Sequence, residues 1–535
     1  MSFSLPFRKP TAAALLATAL AVAACTSPAA PPDATPADVA NDTAPEVAGV
    51  PKLKAATGDP NLATAATGWY RGDLHFHTNH SEDAKKQNGD DMKDALAIAD
   101  ANRDPQFVAA YPELAGNGLD YVAVTDHRTD ACLKDPDFKH PHLILLAGEE
   151  YGGSGHAGIW GFKKHISHDP QKGESANQRH QDAIAEAHAQ GALFSINHPT
   201  QDNGWVWDVK GYDGIEIWNG PWSAFYGPWT PEQLQEVVTQ RGVENPYIRN
   251  AVARAQGGGA NAEALRFWQN HLSAGVAVAP VGGGDRHMLV PPGLPTTYVR
   301  APDAFAGKQG KALGPEGILA GIQQRATFIS RSAFGAQVVL EAEDAAGKRH
   351  PMGSLLQPGA TYTIHVQVGR AQGGLLRLYG APLGKAPDGQ WPDPQVLYAS
   401  PIEAQRVAGT WLWTVPPTGA WLHAVVLEVL VPSPLPDQAT EIQAILSKLP
   451  NGKALGDMLK VFVAMVNPSH VADASTCDPK AWQPWQGACM PADTATWATF
   501  YLPDGIVRLL STWFEDGQPT GWCTGAISAA FLARP

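Results

Sequence analysis

Two histidines one residue apart, His75 and His77 around Phe76, close an apolar run that begins at Trp69. Side chains alternate along a strand with a period of two, so both imidazoles share one face and Phe76 takes the other. Later fragments follow the same plan of a polar cluster at a strand end. They are Thr125-Asp126-His127, Gly148-Glu149-Glu150, Gly155-His156, Asn197-His198-Pro199 and Gly284-Asp285-Arg286-His287. A chain built this way needs a fold that gathers its strand ends at one place.

The pattern from residue 69 to about 332 predicts such a fold. Strands are expected at Trp69–His77, Tyr121–Asp126, Leu143–Gly148, Ala157–Phe162, Leu193–Asn197, Gly214–Trp218 and Val276–Val281. Helical segments lie between them at Met92–Asn102, Ser175–Gln190 and Ala260–Ala274, the last stopped by Gly275. Strand–helix alternation reads as an α/β fold, a parallel sheet or barrel with its site at the carboxyl ends of the strands. Imidazoles and carboxylates converging there suit divalent cations, and the ligand types fit Zn, Mn or Fe alike. Histidines such as His140, His142, His180 and His423 lack a partner at ligand spacing and read as surface or satisfied core residues.

The ordered set closely resembles the PHP (polymerase and histidinol phosphatase) superfamily of metal-dependent phosphoesterases, and within it the CehA/McbA-like metallohydrolases. The resemblance is carried by "GDLHFHTNHSED", "DYVAVTDH", "LLAGEEYGGSGHAGIWGF", "INHP", "DGIEIWNG" and "GVAVAPVGGGDRH". It implies a distorted (β/α)7 barrel over residues 61–332 holding two or three metal ions. His75, His77 and Asp285 would bind the first ion, and Glu150 would bridge to a second held by His156 and His198. Asp83, His127 and His287 would take a third. Glu149 should face away, while Asp83 competes with His80 and Glu82 in its loop. Where the family often has a serine, this chain has Gly284, and Arg286 should point outward into a salt bridge.

Asp73 shares the facing of His75 and His77 and is a candidate to orient an imidazole. Asp126, Glu216 and Asn219 are candidates to orient ligands or touch substrate, and Arg128 to touch substrate. The loops after His198 carry Trp205, Trp207, Trp218, Trp222, Tyr226 and Trp229, an indole wall suited to an apolar or ring-shaped substrate, or to packing between domains. The resemblance implies a metal-bridging hydroxide that attacks a phosphate mono- or diester without a side-chain nucleophile. A carboxylic ester, amide or carbamate is the alternative small-molecule substrate. A non-catalytic surface lipoprotein with structural metals is the further one.

The ends bound the protein's setting. Arg8 and Lys9 precede an apolar stretch that closes at Cys25, which resembles a bacterial lipobox, so residues 1–25 read as a lipoprotein signal. Thr26 follows, favouring an outer-membrane or periplasmic-face location over the inner membrane. Membrane contact would run through the lipid anchor alone. Residues 26–60 are rich in Pro, Ala, Asp and Thr and read as a disordered tether. Residues 333–435 alternate like a β-sandwich, and 436–535 form a helical or irregular, Cys/Trp-rich region with helices at Ala439–Leu449 and Leu455–Val466. Four further cysteines allow two disulfides, Cys477–Cys489 and Cys132–Cys523. A net charge of −13 without a Lys/Arg cluster excludes general nucleic-acid binding.

Overall fold

The computed structural model describes residues 53–86, 89–100, 118–153, 155–200, 204–220, 260–287, 292–305, 313–333, 335–429, 512–515 and 518–535. Its first part runs β1 (Lys54–Ala55), β2 (Trp69–Phe76), α1 (Glu82–Lys86), α2 (Met92–Ala99), β3 (Tyr121–Val124), β4 (Ile144–Tyr151), β5 (Ala157–Trp160), α3 (Ala176–Ala189), β6 (Leu193–Ile196), β7 (Gly214–Asn219), α4 (Ala260–Ser273), β8 (Ala279–Gly283), β9 (Thr296–Arg300), α5 (Pro315–Gln323) and β10 (Thr327–Ser330). The rest is β11 (Gln337–Glu343), β12 (Arg349–Pro351), β13 (Leu355–Leu356), β14 (Thr361–Gly369), β15 (Leu375–Pro382), β16 (Gln395–Pro401), β17 (Arg406–Thr414), β18 (Ala420–Val429), β19 (Thr512–Glu515), β20 (Gln518–Ser528) and β21 (Phe531–Ala533).

The architecture is mixed α/β: a curled sheet of sixteen strands and a separate antiparallel sheet of five, with five α-helices among the described residues. Pairing is parallel across β2–β3–β4 and β6–β7–β8. Between these blocks β5 pairs antiparallel with both β4 and β6. A parallel return would need a crossover of about a dozen residues, and the chain leaves only residues 152–156 between β4 and β5. β8 curls back against β2, so that a Cβ added to Gly283 would stand 2.3 Å from the His75 Cβ. Ser175 caps α3 by accepting from the Gln178 backbone N–H, and α4 stops at Gly275 with φ 78°.

Three expectations about boundaries change. The sheet does not break at residue 332, because β10 pairs with β20 from the far end of the chain. The region after 436 is not simply helical or irregular, since β18 pairs with both β20 and β21. The tether ends before residue 60, with Leu53 buried and β1 added to the edge of β17. A sandwich core joins Val338, Ile364 and Val366 of the smaller sheet to Leu376, Leu422 and Phe531 of the larger. Among the described residues no helix is long and apolar enough to cross a membrane. The signal segment with Cys25, the 439–466 helices and the Cys477–Cys489 pair lie outside the described residues.

Candidate metal centre

All the ligand candidates except Asp83 sit on a strand or beside one of its ends. β2 delivers His75 and His77 directly follows it, β4 carries Glu150, and His156 immediately precedes β5. His198 follows β6, Asp285 and His287 follow β8, and Asp83 lies on the short helix α1. His127 follows β3 and bridges to Glu150.

These side chains interlock. Glu150 Oε1 lies 2.9 Å from His198 Nε2, 3.1 Å from His156 Nδ1 and 3.1 Å from His75 Nε2. Its Oε2 lies 3.0 Å from His127 Nδ1 and 3.4 Å from His77 Nε2. Asp285 Oδ1 stands 3.3 and 3.4 Å from the Nε2 atoms of His75 and His77. Asp83 Oδ2 lies 3.0 Å from both His127 Nε2 and His287 Nε2. His80 instead pairs with Asp135 and Glu82 with Lys86, which separates Asp83 from its neighbours. Glu149 turns to the other face and meets His165 at 2.6 Å.

Two tests show that the donors fit cations. With metal–nitrogen distances of about 2.1 Å, two ligands on one ion stand roughly 3.0–3.4 Å apart. The His75 and His77 Nε2 atoms are 3.1 Å apart, close to that spacing. Moreover, the buried Nδ1 atoms of His127 and His198 have no hydrogen-bond partner, although His127 Nδ1 stands beside the Glu150 carboxylate. A buried polar atom without a partner is costly unless something else satisfies it.

The electrostatics match. Burial alone would depress His75, yet Asp285, Glu150 and Glu216 hold it well above its ordinary value. Burial likewise opposes ionisation of Glu150, and His75, His156 and His127 bring it well below the carboxylate range. His127 is pushed up to about 10 against burial, by Glu150 and Asp83. The carboxylates thus favour positive charge at His75 and His127, the same charge that a divalent ion would supply there.

The surrounding shell differs from expectation in part. Asp73 does not orient an imidazole. Its oxygens accept the backbone N–H groups of His75, Gly284 and Gly293 at 3.0, 2.9 and 2.8 Å. Glu216 has the orienting role instead, 3.0 Å from His75 Nδ1, and it accepts the His198 N–H at 2.9 Å. Asn219 donates to Glu216 and Asp285. Asp126 accepts from Thr78 and Ser81, and Ser81 Oγ lies 2.8 Å from His77 Nδ1. Ser81 and Asn197, which donates to Glu150 at 3.3 Å, carry no sequence signal beyond nearness to a ligand.

Gly284 has a steric cause. A Cβ there would stand 2.6 Å from Asp73 Oδ2. Gly284→Ser is expected to displace this buried carboxylate and lower stability by about 1–3 kcal/mol in urea unfolding; an unchanged midpoint would show the contact to be slack. Arg286 is buried, pairs with Asp90 and lies over the Phe76 ring at 5.2 Å.

The indole wall is corrected at two positions. Trp205 and Trp218 are buried in the core, Trp205 against Phe194 and His180. A register shift between Glu216 and Trp218 lets Asn219, not Trp218, share the centre with Glu216. Trp222, Tyr226 and Trp229 lie outside the described residues. The Cys132–Cys523 disulfide does not form. Cys132 is a free, buried thiol that donates to the Gly148 carbonyl, and burial pushes it up to about 12.

No protein-family model and no curated protein matches the chain. Among solved structures, PsfC from Pseudomonas syringae is similar at 15% identity over 47% of this chain and 88% of that one, with a TM-score of 0.25. A likeness that slight adds nothing to the reading of the centre.

Proposed function

We propose that this protein is a metal-dependent hydrolase of the PHP type acting on phosphate esters, with a distorted barrel of that family around its centre. One observation carries the reading: a single buried carboxylate, Glu150, reaches five imidazoles within 3.4 Å. Structural zinc sites are closed by four ligands, whereas this donor set is too large for one ion and is divided among overlapping groups.

His75, His77, Glu150 and Asp285 would hold one ion, His156 and His198 with Glu150 a second, and Asp83, His127 and His287 a third. When bound, such ions bring the pKa of coordinated water to about 7 and neutralise charge on an attacked ester. The chain's own residues keep the donors aimed. Glu216 fixes His75 through Nδ1, and Asn219 ties Glu216 to Asp285. Ser81, held by Asp126, fixes His77. Such supporting contacts are typically worth 10–100-fold in metal affinity.

Export as a lipoprotein anchored at Cys25 belongs to the same proposal. The decisive experiment purifies residues 26–535, which keep Leu53 and β1 in place, measures bound metal and assays phosphomonoester, phosphodiester and carboxyl-ester chromogenic substrates beside His75→Ala. Loss of turnover in that variant with unchanged circular dichroism is expected. Turnover that survives would sink the site assignment, and turnover of carboxyl esters alone would replace the phosphoesterase reading. Asp83→Ala is expected to remove one metal equivalent per chain and leave the rest. Equal stoichiometry by mass spectrometry would show that no third ion binds there.

A further inference from the structure

Five non-glycine residues among those described have positive φ: Arg128 at 50°, His198 at 25°, Asp285 at 46°, Arg325 at 59° and Arg370 at 60°. This conformation is unfavourable for a residue with a Cβ and persists only where the surroundings impose it. His198 and Asp285 belong to the metal centre, and Arg128 immediately follows its ligand His127.

What imposes it is visible. The Arg128 backbone N–H donates to the Glu150 carbonyl at 3.0 Å. The turn carries the side chain over the loop between Glu150 and His156, where Nη1 reaches the Gly152 carbonyl at 3.4 Å. His168 approaches the same loop, and a Cβ built on Gly153 would stand 3.8 Å from Arg128 Nη1 and 3.9 Å from His168 Nε2. Arg128 is exposed, and no carboxylate among the described residues forms an ion pair with it. The strained backbone thus sets the guanidinium over the loop that joins Glu150 to His156, without a carboxylate partner among the described residues.

We propose that Arg128 is a substrate subsite for an oxyanion, a carboxylate or phosphate, on the part of the ester away from the metal ions, while the neighbouring His168 is taken up by Asp169 at 3.3 Å. The favoured substrates then carry a negative charge beyond the scissile group. Arginine suits this task because its planar fork meets two oxygens at once, whereas lysine offers only a point charge. The inference rests on the metal-centre reading but does not need hydrolysis to be tested.

The probes are isophthalate and benzoate, which differ by one carboxylate, titrated calorimetrically into the metal-loaded protein. Isophthalate is expected to bind at least about tenfold more tightly than benzoate. Arg128→Gly should erase most of that ratio and Arg128→Lys should keep part of it. Among nitrophenyl esters with and without a ring carboxylate, kcat/KM for the charged one should fall at least about tenfold further in Arg128→Gly. Glycine takes this φ freely, so the variant should melt no lower than the parent. If it does melt lower, Arg128→Asn, which also tolerates the conformation, replaces it. Equal binding of the two probes by the parent, or a ratio untouched in a folded variant, would overturn the subsite while leaving the His75→Ala result standing.

Discussion

Glu150→Ala is expected to cost at least about 100-fold in metal affinity, more than loss of any supporting contact should. The reason is geometric. Its two oxygens are shared among His75, His77, His127, His156 and His198, so one truncation disturbs every group that includes them. The fold should survive. Without this carboxylate His75 still faces Asp285 and Glu216, and His127 still faces Asp83, so neither is left as an unpaired buried charge. Metal content after dialysis, read beside far-ultraviolet circular dichroism, checks both halves. A folded variant with the parent's full complement of metal would refute the central role of Glu150.

The second large effect lies away from the centre, where the two parts of the molecule meet. His423 on β18 is fully buried among Trp268, Tyr379 and Trp421, with ring centroids 5.1, 5.8 and 5.5 Å away. Gln269 Nε2 lies 3.0 Å from its Nε2 and donates to it, so the ring proton sits on Nδ1, facing the Ala424 carbonyl. Burial pushes the imidazole down to about 4 from its ordinary value of about 6.5. The unfolded chain therefore binds this proton more readily than the folded one. The associated stability is fully present above about pH 6.5 and is lost as pH falls toward 4, about 3 kcal/mol in all.

The histidines of the metal-free centre work in the opposite sense, since His75 and His127 have raised pKa values. Comparing the parent with His423→Phe in urea at several pH values cancels their contribution. The stability difference between the two should shift toward the variant by about 3 kcal/mol from pH 7 to pH 4. A difference that does not vary with pH would mean that His423 is not titrated by unfolding.

Much of the centre was legible because its information is local. The two-residue period of β2 puts His75 and His77 together whatever lies around them, and the same rule separates Glu150 from Glu149. The rule fails where a strand is irregular. Trp218 should share the facing of Glu216, but the register shift in β7 gives that place to Asn219. It is also silent on partners. Asp73 has the facing of a ligand-orienting carboxylate, yet the backbone N–H of His75 and those of the distant Gly284 and Gly293 claim it.

The sequence by itself determined which chemical groups gather at the strand ends, because side-chain facing and turn chemistry depend on neighbours a few residues away. Tertiary structure alone decided how the ends of the chain are used, as β1 joins β17 and β20 joins β10. Strand edges offer the same backbone donors and acceptors to any partner, so only packing of the whole selects the pair. It also decided that Cys132 stays a thiol. By the same means Arg128 is bent by a bond to Glu150 across two strands, a contact that no local pattern encodes.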